Sequence, residues 1–301
     1  MPSLKKTQKN INKTSNGQDN ILERPILKTS SENTVDSLET NSHSVDAVIK
    51  IGGSTLGDHD TTINDLIHLQ KQGKNIVVIH GGGKIVSDWM KKQGIRPKFV
   101  EGLRVTDIKS LEIVVSVLTG LINKQLVSEI NSNGGKAIGI SGVDGSMILA
   151  SVVNPDLGYV GKVESIDPKP IKNILKSGYI PVISPIGLNC DATADGIKSM
   201  LNINADTVAG YISAELRSKR MIFLTDVPGV LDSSKRLIAR ITASQAASLI
   251  RSNVIAGGMI PKLEACLKAL DGGASSQIID GREIEALKNV VEGDLTGTKI
   301  G

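Results

Sequence analysis

The stretch Ala47-Val48-Ile49-Lys50-Ile51-Gly52-Gly53-Ser54 decides how the rest of the chain is read. Its first five residues are apolar and mostly β-branched, broken only by Lys50, and two glycines follow at once. Near-continuous runs of this kind suit strands covered on both faces, as in a parallel sheet. The pattern recurs at Ile76-Val77-Val78-Ile79, which runs into His80-Gly81-Gly82-Gly83-Lys84. Helical spacing occupies Thr62 to Gln72 between the two strands and Ile85 to Gln93 after the second. Strand, helix and strand in succession predict βαβ units.

Outward from there the rhythm continues. Leu111, Val114, Val115, Leu118, Leu121, Ile122 and Ile130 recur near the helical period, with Thr106 or Asp107 as cap and Asn133-Gly134-Gly135 as stop. Ala137 to Ile140 reads as a strand, and Met147 to Ile166 as a hairpin turning at Asn154-Pro155-Asp156-Leu157-Gly158. Helices are predicted at 168–176, 206–217, 244–252 and 260–270, and strands at 181–184, 221–224 and 277–279. The expected fold is α/β: a three-layer αβα sandwich with a central, mainly parallel sheet and a β-hairpin excursion.

Composition narrows the function. Apolar residues make up 40% of the 301-residue chain but aromatics only 2%, so Ile, Val, Leu and Ala must fill the core. A net charge of +4, without basic clusters interleaved with aromatics, favours small anionic ligands over nucleic acid. Cys190 and Cys266 have no metal-ligand spacing, and no uninterrupted apolar run reaches the roughly 20 residues of a bilayer span. A cytoplasmic protein with no membrane partner is expected. Residues 1–45 are polar and aperiodic and read as a disordered tail, with a targeting segment as the alternative for its lysine-rich start.

Glycine-rich turns carry the chemistry. Gly52-Gly53, Gly81-Gly82-Gly83 and Gly257-Gly258-Met259-Ile260-Pro261-Lys262 could each bring backbone N–H groups close to phosphate oxygens, the last two at helix entrances. A lysine just inside a helix N-terminus, as at Lys262, adds positive charge to an already positive end and so calls for an anion. A Walker loop ending at Lys84 would need glycine where Val78 stands, and no strand leads into G-x-G-x-x-G. Phosphate binding must be built otherwise.

"VIKIGGSTL" (48–56), "IHGGGK" (79–84), "EGLRVTD" (101–107), "LNINADTVAG" (201–210), "FLTDVPGVLD" (223–232), "GGMIPKLEA" (257–265) and "GTKI" (297–300) together resemble the amino-acid kinase family, and within it the acetylglutamate kinase branch. The resemblance spans residues 46–301 and implies an acyl-amino-acid-binding half (about 46–190) and an ATP-binding half (about 191–301). It implies transfer of the γ-phosphoryl of ATP to the side-chain carboxylate of N-acetyl-L-glutamate, a step towards arginine. Mg²⁺ would be held mainly by ATP oxygens and water, with no protein ligand named.

By the same resemblance, Lys50 and Lys262 hold the transferring group and its leaving oxygen, and Asp206 orients both. Gly52, Gly53, Gly82 and Gly83 add backbone donors, Gly82 and Gly83 beside the acceptor carboxylate. Arg104 takes a substrate carboxylate, and Asn202 the α-substituents. Thr225, Asp226, Gly229 and Val230 line adenine and ribose. A carboxylate acceptor is already ionised at neutral pH, so no general base is required, and His80 reads as a turn or core residue.

Two alternatives stand beside this reading. A kinase for an N-acylated or carrier-linked aminoadipate differs by one methylene, and a non-catalytic sensor on the same fold would be expected to lack Lys50, Lys262 or Asp206. Because the tail lacks an apolar approach to the first strand, a homodimer without strong arginine inhibition is expected.

Overall fold

The computed structural model describes residues 44–52, 61–190, 196–252, 255 and 257–301. Strands are β1 (Ala47–Ile51), β2 (Ile76–His80), β3 (Phe99–Val100), β4 (Leu103–Arg104), β5 (Ala137–Ser141), β6 (Ile148–Val152), β7 (Val160–Ile166), β8 (Ile180–Ser184), β9 (Ile186–Asn189), β10 (Met200–Ile203), β11 (Arg220–Thr225), β12 (Arg240–Ile241), β13 (Ser275–Asp280) and β14 (Thr298–Ile300). Helices are α1 (Thr62–Lys71), α2 (Gly83–Lys92), α3 (Ile108–Val115), α4 (Asn123–Ser132), α5 (Lys169–Lys176), α6 (Ala205–Glu215), α7 (Ala243–Arg251), α8 (Met259–Asp271) and α9 (Ala286–Glu292).

Eight strands form the main sheet in the order β12-β14-β13-β11-β1-β2-β8-β5, with β1 near its middle. β1 pairs in parallel with β11 on one edge and β2 on the other, and only the β13–β14 pair is antiparallel. Side chains alternate between two apolar layers. Val48, Val77, Ile79, Met221 and Phe223 face α5 to α8, while Ile49, Ile51, Val78, Ile222 and Leu224 face α1 to α4 and α9. This is the expected three-layer sandwich, its interior built from aliphatic side chains.

The hairpin excursion is larger than the sequence suggested. β6 and β7 pair antiparallel as read, but β9 and β10 join them to close a four-stranded barrel. Of the tail assigned to 1–45, residues 1–43 lie outside the described residues, and Val45 already packs into the core.

The long apolar helix is interrupted. Asp107, not Thr106, caps α3 by accepting from the Ser110 amide at 2.8 Å, and a π-helical turn over Ser116–Ile122 separates α3 from α4. Leu118, Ile122, Leu126 and Ile130 are all buried at a spacing of four. That spacing drifts about 40° per turn on a 3.6-residue helix, and the wider π turn takes up part of the drift. By length and composition 108–132 could cross a bilayer, yet these residues pack into the protein's own core.

Helices α6 and α8 cross closely because Gly210 has no side chain. A Cβ there would stand 2.7 Å from the Ala265 carbonyl oxygen and 2.9 Å from its Cα. Gly210→Ala should therefore destabilise the fold by about 1–3 kcal/mol through overpacking, outweighing the roughly 1 kcal/mol that alanine gains as a helix former. Denaturant titration of the two proteins checks this; equal or greater stability of the variant would refute the close crossing.

Candidate active site

The site lies at the carboxyl ends of the central strands, where β1, β2, β8 and β11 run out and the chain changes direction across the sheet, the usual position for ligands in open α/β folds. Lys50, next to last in β1, shares its face with Val48 and so points towards α6 and α8. Asp206 is the second residue of α6, a helix capped by Asn204, whose Oδ1 accepts from the amides of Asp206 and Thr207. An acid in the first turn is favoured by the helix dipole. Lys262 is the fourth residue of α8, one turn in, behind Pro261, whose missing N–H has no intrahelical partner to lose there.

These three side chains converge. Lys50 Nζ lies 2.8 Å from Asp206 Oδ1, and Lys262 Nζ donates to Oδ2 at 2.9 Å. All three are largely shielded, their side chains 9%, 7% and 18% exposed for Lys50, Asp206 and Lys262. Burial by itself would push the Asp206 carboxyl up, but the two ammonium groups overcome it and hold the acid below its usual range. The anion demanded by "GGMIPK" is thus present within the protein.

A cleft of about 220 Å³ opens beside this cluster, lined by Lys50, Gly82, Gly83, Arg104, Asn202 and Asp206, with apolar walls that include Val86, Val114 and Leu118. Arg104 is fixed on three sides: Nη2 donates to the Gly83 carbonyl at 2.7 Å and to Ser87 Oγ at 2.9 Å, and the guanidinium stacks 4.7 Å from the Phe99 ring centroid. Burial lowers its pKa from the ordinary value, yet guanidinium keeps its proton at any physiological pH. Asn202 donates from Nδ2 to Thr106 Oγ1 at 3.2 Å. Three cations against one carboxylate give the cleft an anion-attracting field.

Other candidates fall elsewhere. Gly52 follows β1 with its amide on the Leu224 carbonyl, and Gly53 lies outside the described residues. Thr225 ends β11 and Asp226, Gly229 and Val230 lie in the loop after it, next to β1 in the sheet but not lining the cleft. Thr225 and Val230 are buried, Thr225 Oγ1 bonding within the loop and to Ile279, and the Val230 amide donating to Thr298 Oγ1. Only Asp226 is exposed among the four with a charged group. Sequence reasoning missed Asn204, Ser87, Thr106 and Phe99, the residues that hold the expected ones in place. Only Asn204 carried a local signal, as a preferred N-cap before a helix.

Among the described residues no group of three His, Cys, Asp or Glu could hold a metal, and both Asp206 oxygens face ammonium groups.

The model of the amino acid kinase family matches residues 47–280. This chain belongs to that family. It is 42% identical over 255 residues to the acetylglutamate kinase of Dehalococcoides mccartyi, covering 84% of this chain and 94% of the relative. Identity to the acetylglutamate kinase of Methanothrix thermoacetophila is 46% over 250 residues, covering 78% and 84% of the two chains. Among solved structures, smu.665 from Streptococcus mutans superposes with a TM-score of 0.72 at 29% identity, over 85% of this chain and 98% of that one. Membership of a kinase family makes ATP the phosphoryl donor.

His80, at the end of β2, is wholly buried, and burial lowers its pKa to about 4. Lys124 and Lys50 act in the same direction, and the contact to the Gly81 carbonyl opposes them. The unfolded chain takes up this proton near pH 6.5 and the folded one only near 4, so stability is lost as pH falls through that window. By pH 5 the loss relative to neutral pH should be about 2 kcal/mol. His80→Asn, which cannot titrate, should show a shallower fall between pH 7 and pH 5 in denaturant unfolding.

Proposed function

We propose that the chain phosphorylates the side-chain carboxylate of N-acetyl-L-glutamate with ATP, giving N-acetyl-L-glutamyl 5-phosphate in arginine biosynthesis. The observation that carries this reading is the convergence of Lys50 and Lys262 on Asp206 at the mouth of a cleft containing Arg104. A carboxylate oxygen attacks the γ-phosphorus, a new C–O–P linkage forms, the bond to the β,γ-bridging oxygen breaks, and ADP leaves. No proton moves, so the step requires no base. The task is to bring two anions together and stabilise charge on the transferring group.

In this reading Lys50 contacts the transferring phosphoryl and Lys262 the leaving oxygen, with Asp206 keeping the ammonium groups apart and aimed. Arg104 presents a planar fork to a substrate carboxylate, Asn202 meets the α-substituents, and Gly82 and Gly83 approach the reacting carboxylate with backbone N–H groups. Gly52, Gly53 and the 225–230 loop serve the nucleotide; Gly52 and Gly53 before it and Asn202 after it apart, the boundary near residue 190 separates an acyl-amino-acid-binding half from an ATP-binding half. Magnesium accompanying ATP would be carried by phosphate oxygens and water. A cytoplasmic homodimer not strongly inhibited by arginine completes the proposal. Two free cysteines fit a reducing compartment, and the exposed edge of the 108–132 helix supplies the pairing surface.

Lys50→Ala and Lys262→Ala should each lower kcat by about 10²–10³-fold with the fold intact by circular dichroism. A coupled ADP-release assay should respond to N-acetylglutamate more than to N-acetylaminoadipate; release with neither overturns the reading, and preference for the longer acid shifts it to lysine synthesis. Light scattering should give a dimer whose activity persists in millimolar arginine.

A further inference from the structure

His80 and Asn123 stand on the far side of the sheet from Lys50 and take no part in the chemistry above. In β2 the side chains of Val77 and Ile79 face α5 to α8, so His80 faces α1 to α4, where Asn123 opens α4 directly after the π turn. Both are buried, with 0% and 1% exposure.

Their hydrogen bonds leave little freedom of assignment. His80 Nδ1 is 2.9 Å from the Gly81 carbonyl oxygen, which can only accept, so Nδ1 carries the hydrogen. Asn123 Nδ2 donates to the Val182 carbonyl at 2.9 Å, and Lys124 Nζ donates to Asn123 Oδ1 at 3.0 Å, which fixes the orientation of the amide. The second Nδ2 hydrogen then meets His80 Nε2 at 3.2 Å, where a neutral ring offers its lone pair. A proton on Nε2 would set donor against donor, beside the Lys124 ammonium.

The consequence falls on the glycine turn. Gly81 is held at both ends of its backbone, its amide on Ile51 O at 3.0 Å and its carbonyl on the His80 ring. Gly82 is pressed against the same helical run: an added Cβ would lie 2.3 Å from Ile122 Cδ1 and 2.8 Å from Leu118 Cδ2. The run over 116–123 thus supplies both the wall behind the turn and the amide that fixes the ring.

We propose that His80, locked by Asn123 in its neutral Nδ1–H form, is a positioning residue that aims the Gly81–Gly83 turn at the acceptor carboxylate. This inference rests on the function proposed above, with Gly82 and Gly83 beside the reacting group.

An asparagine at 80 can place its amide N–H where Nδ1–H stands, whereas glutamine reaches towards Asn123 and leaves the Gly81 carbonyl free. His80→Asn should keep kcat and the KM for N-acetylglutamate within about threefold of the parent protein, while His80→Gln should lose about 10–100-fold in kcat/KM for that substrate, with the KM for ATP little changed. Long-range proton–nitrogen NMR of the parent protein, which has four histidines, should show one Nδ1–H tautomer that does not titrate between pH 5.5 and 8.5 and is missing in His80→Asn. Should a glutamine variant not fold, Asn123→Ala, which removes the Nε2 partner, should still reduce kcat/KM for the acceptor. Equal kinetics of the asparagine and glutamine variants, or an Nε2–H tautomer, overturns the proposal. The NMR result stands whatever the substrate proves to be, so an inactive parent protein would count against the proposed function and not against the locked ring.

Discussion

A single buried carboxylate holds the site together. Taking Asp206 out of water costs several kcal/mol, and only the two ammonium groups at 2.8 and 2.9 Å make its ionised form tenable. The dependence runs both ways, because Lys50 sits in a β-strand whose neighbours are apolar, and its charge needs a counter-ion as much as the acid does. Replacing such a trio by aliphatic side chains often leaves stability unchanged or improved. In the function proposed above the trio serves use rather than stability: a triphosphate entering the cleft would meet cations already largely shielded from water and already oriented, with little reorganisation needed as charge develops on the transferring group.

Much of this architecture was legible because buried parallel strands write themselves plainly. Ala47–Ile51, Ile76–His80 and Arg220–Thr225 are apolar, β-branched and bounded by glycine, lysine or a turn, and each is a strand of the main sheet. Helix limits fell within a residue or two because caps and stops such as Asp107, Asn133-Gly134 and the Thr242–Gln245 capping box are local chemistry. What escaped was short or dependent on distant partners. Ile186–Asn189 and Met200–Ile203 contain glycine or asparagine and exist as strands because they pair with each other and with the hairpin. β12, β14 and α9 are brief segments, β12 at the sheet edge, β14 beside it, and α9 entered through Glu285 in a left-handed conformation.

The site divides in the same way. Lys50 and Lys262 stood out because a lysine is unusual in a buried strand and at a helix entrance, and Asp206 through the resemblance of the stretch around it, though nothing in spacing could say that residues 56 positions apart would touch. The supporting shell, Asn204 apart, gave no sign of its role. Ser87, Phe99 and Thr106 are unremarkable in sequence and acquire meaning only when folding brings Arg104 and Asn202 to them. The π turn was equally hidden, since its apolar residues satisfy an ordinary helical pattern and its effect is a displacement of where Asn123 lands.

The two lysines are mounted on unequal supports. β1 is laced to parallel neighbours along both edges and buried throughout, so Lys50 is a fixed anvil. α8 is entered through Gly257, with positive φ, and Gly258, with no side chain capping its start, so Lys262 is carried at an uncapped helix entrance. The spacing of the two ammonium groups is therefore set by where α8 begins, and the sheet supplies the datum from which it is measured.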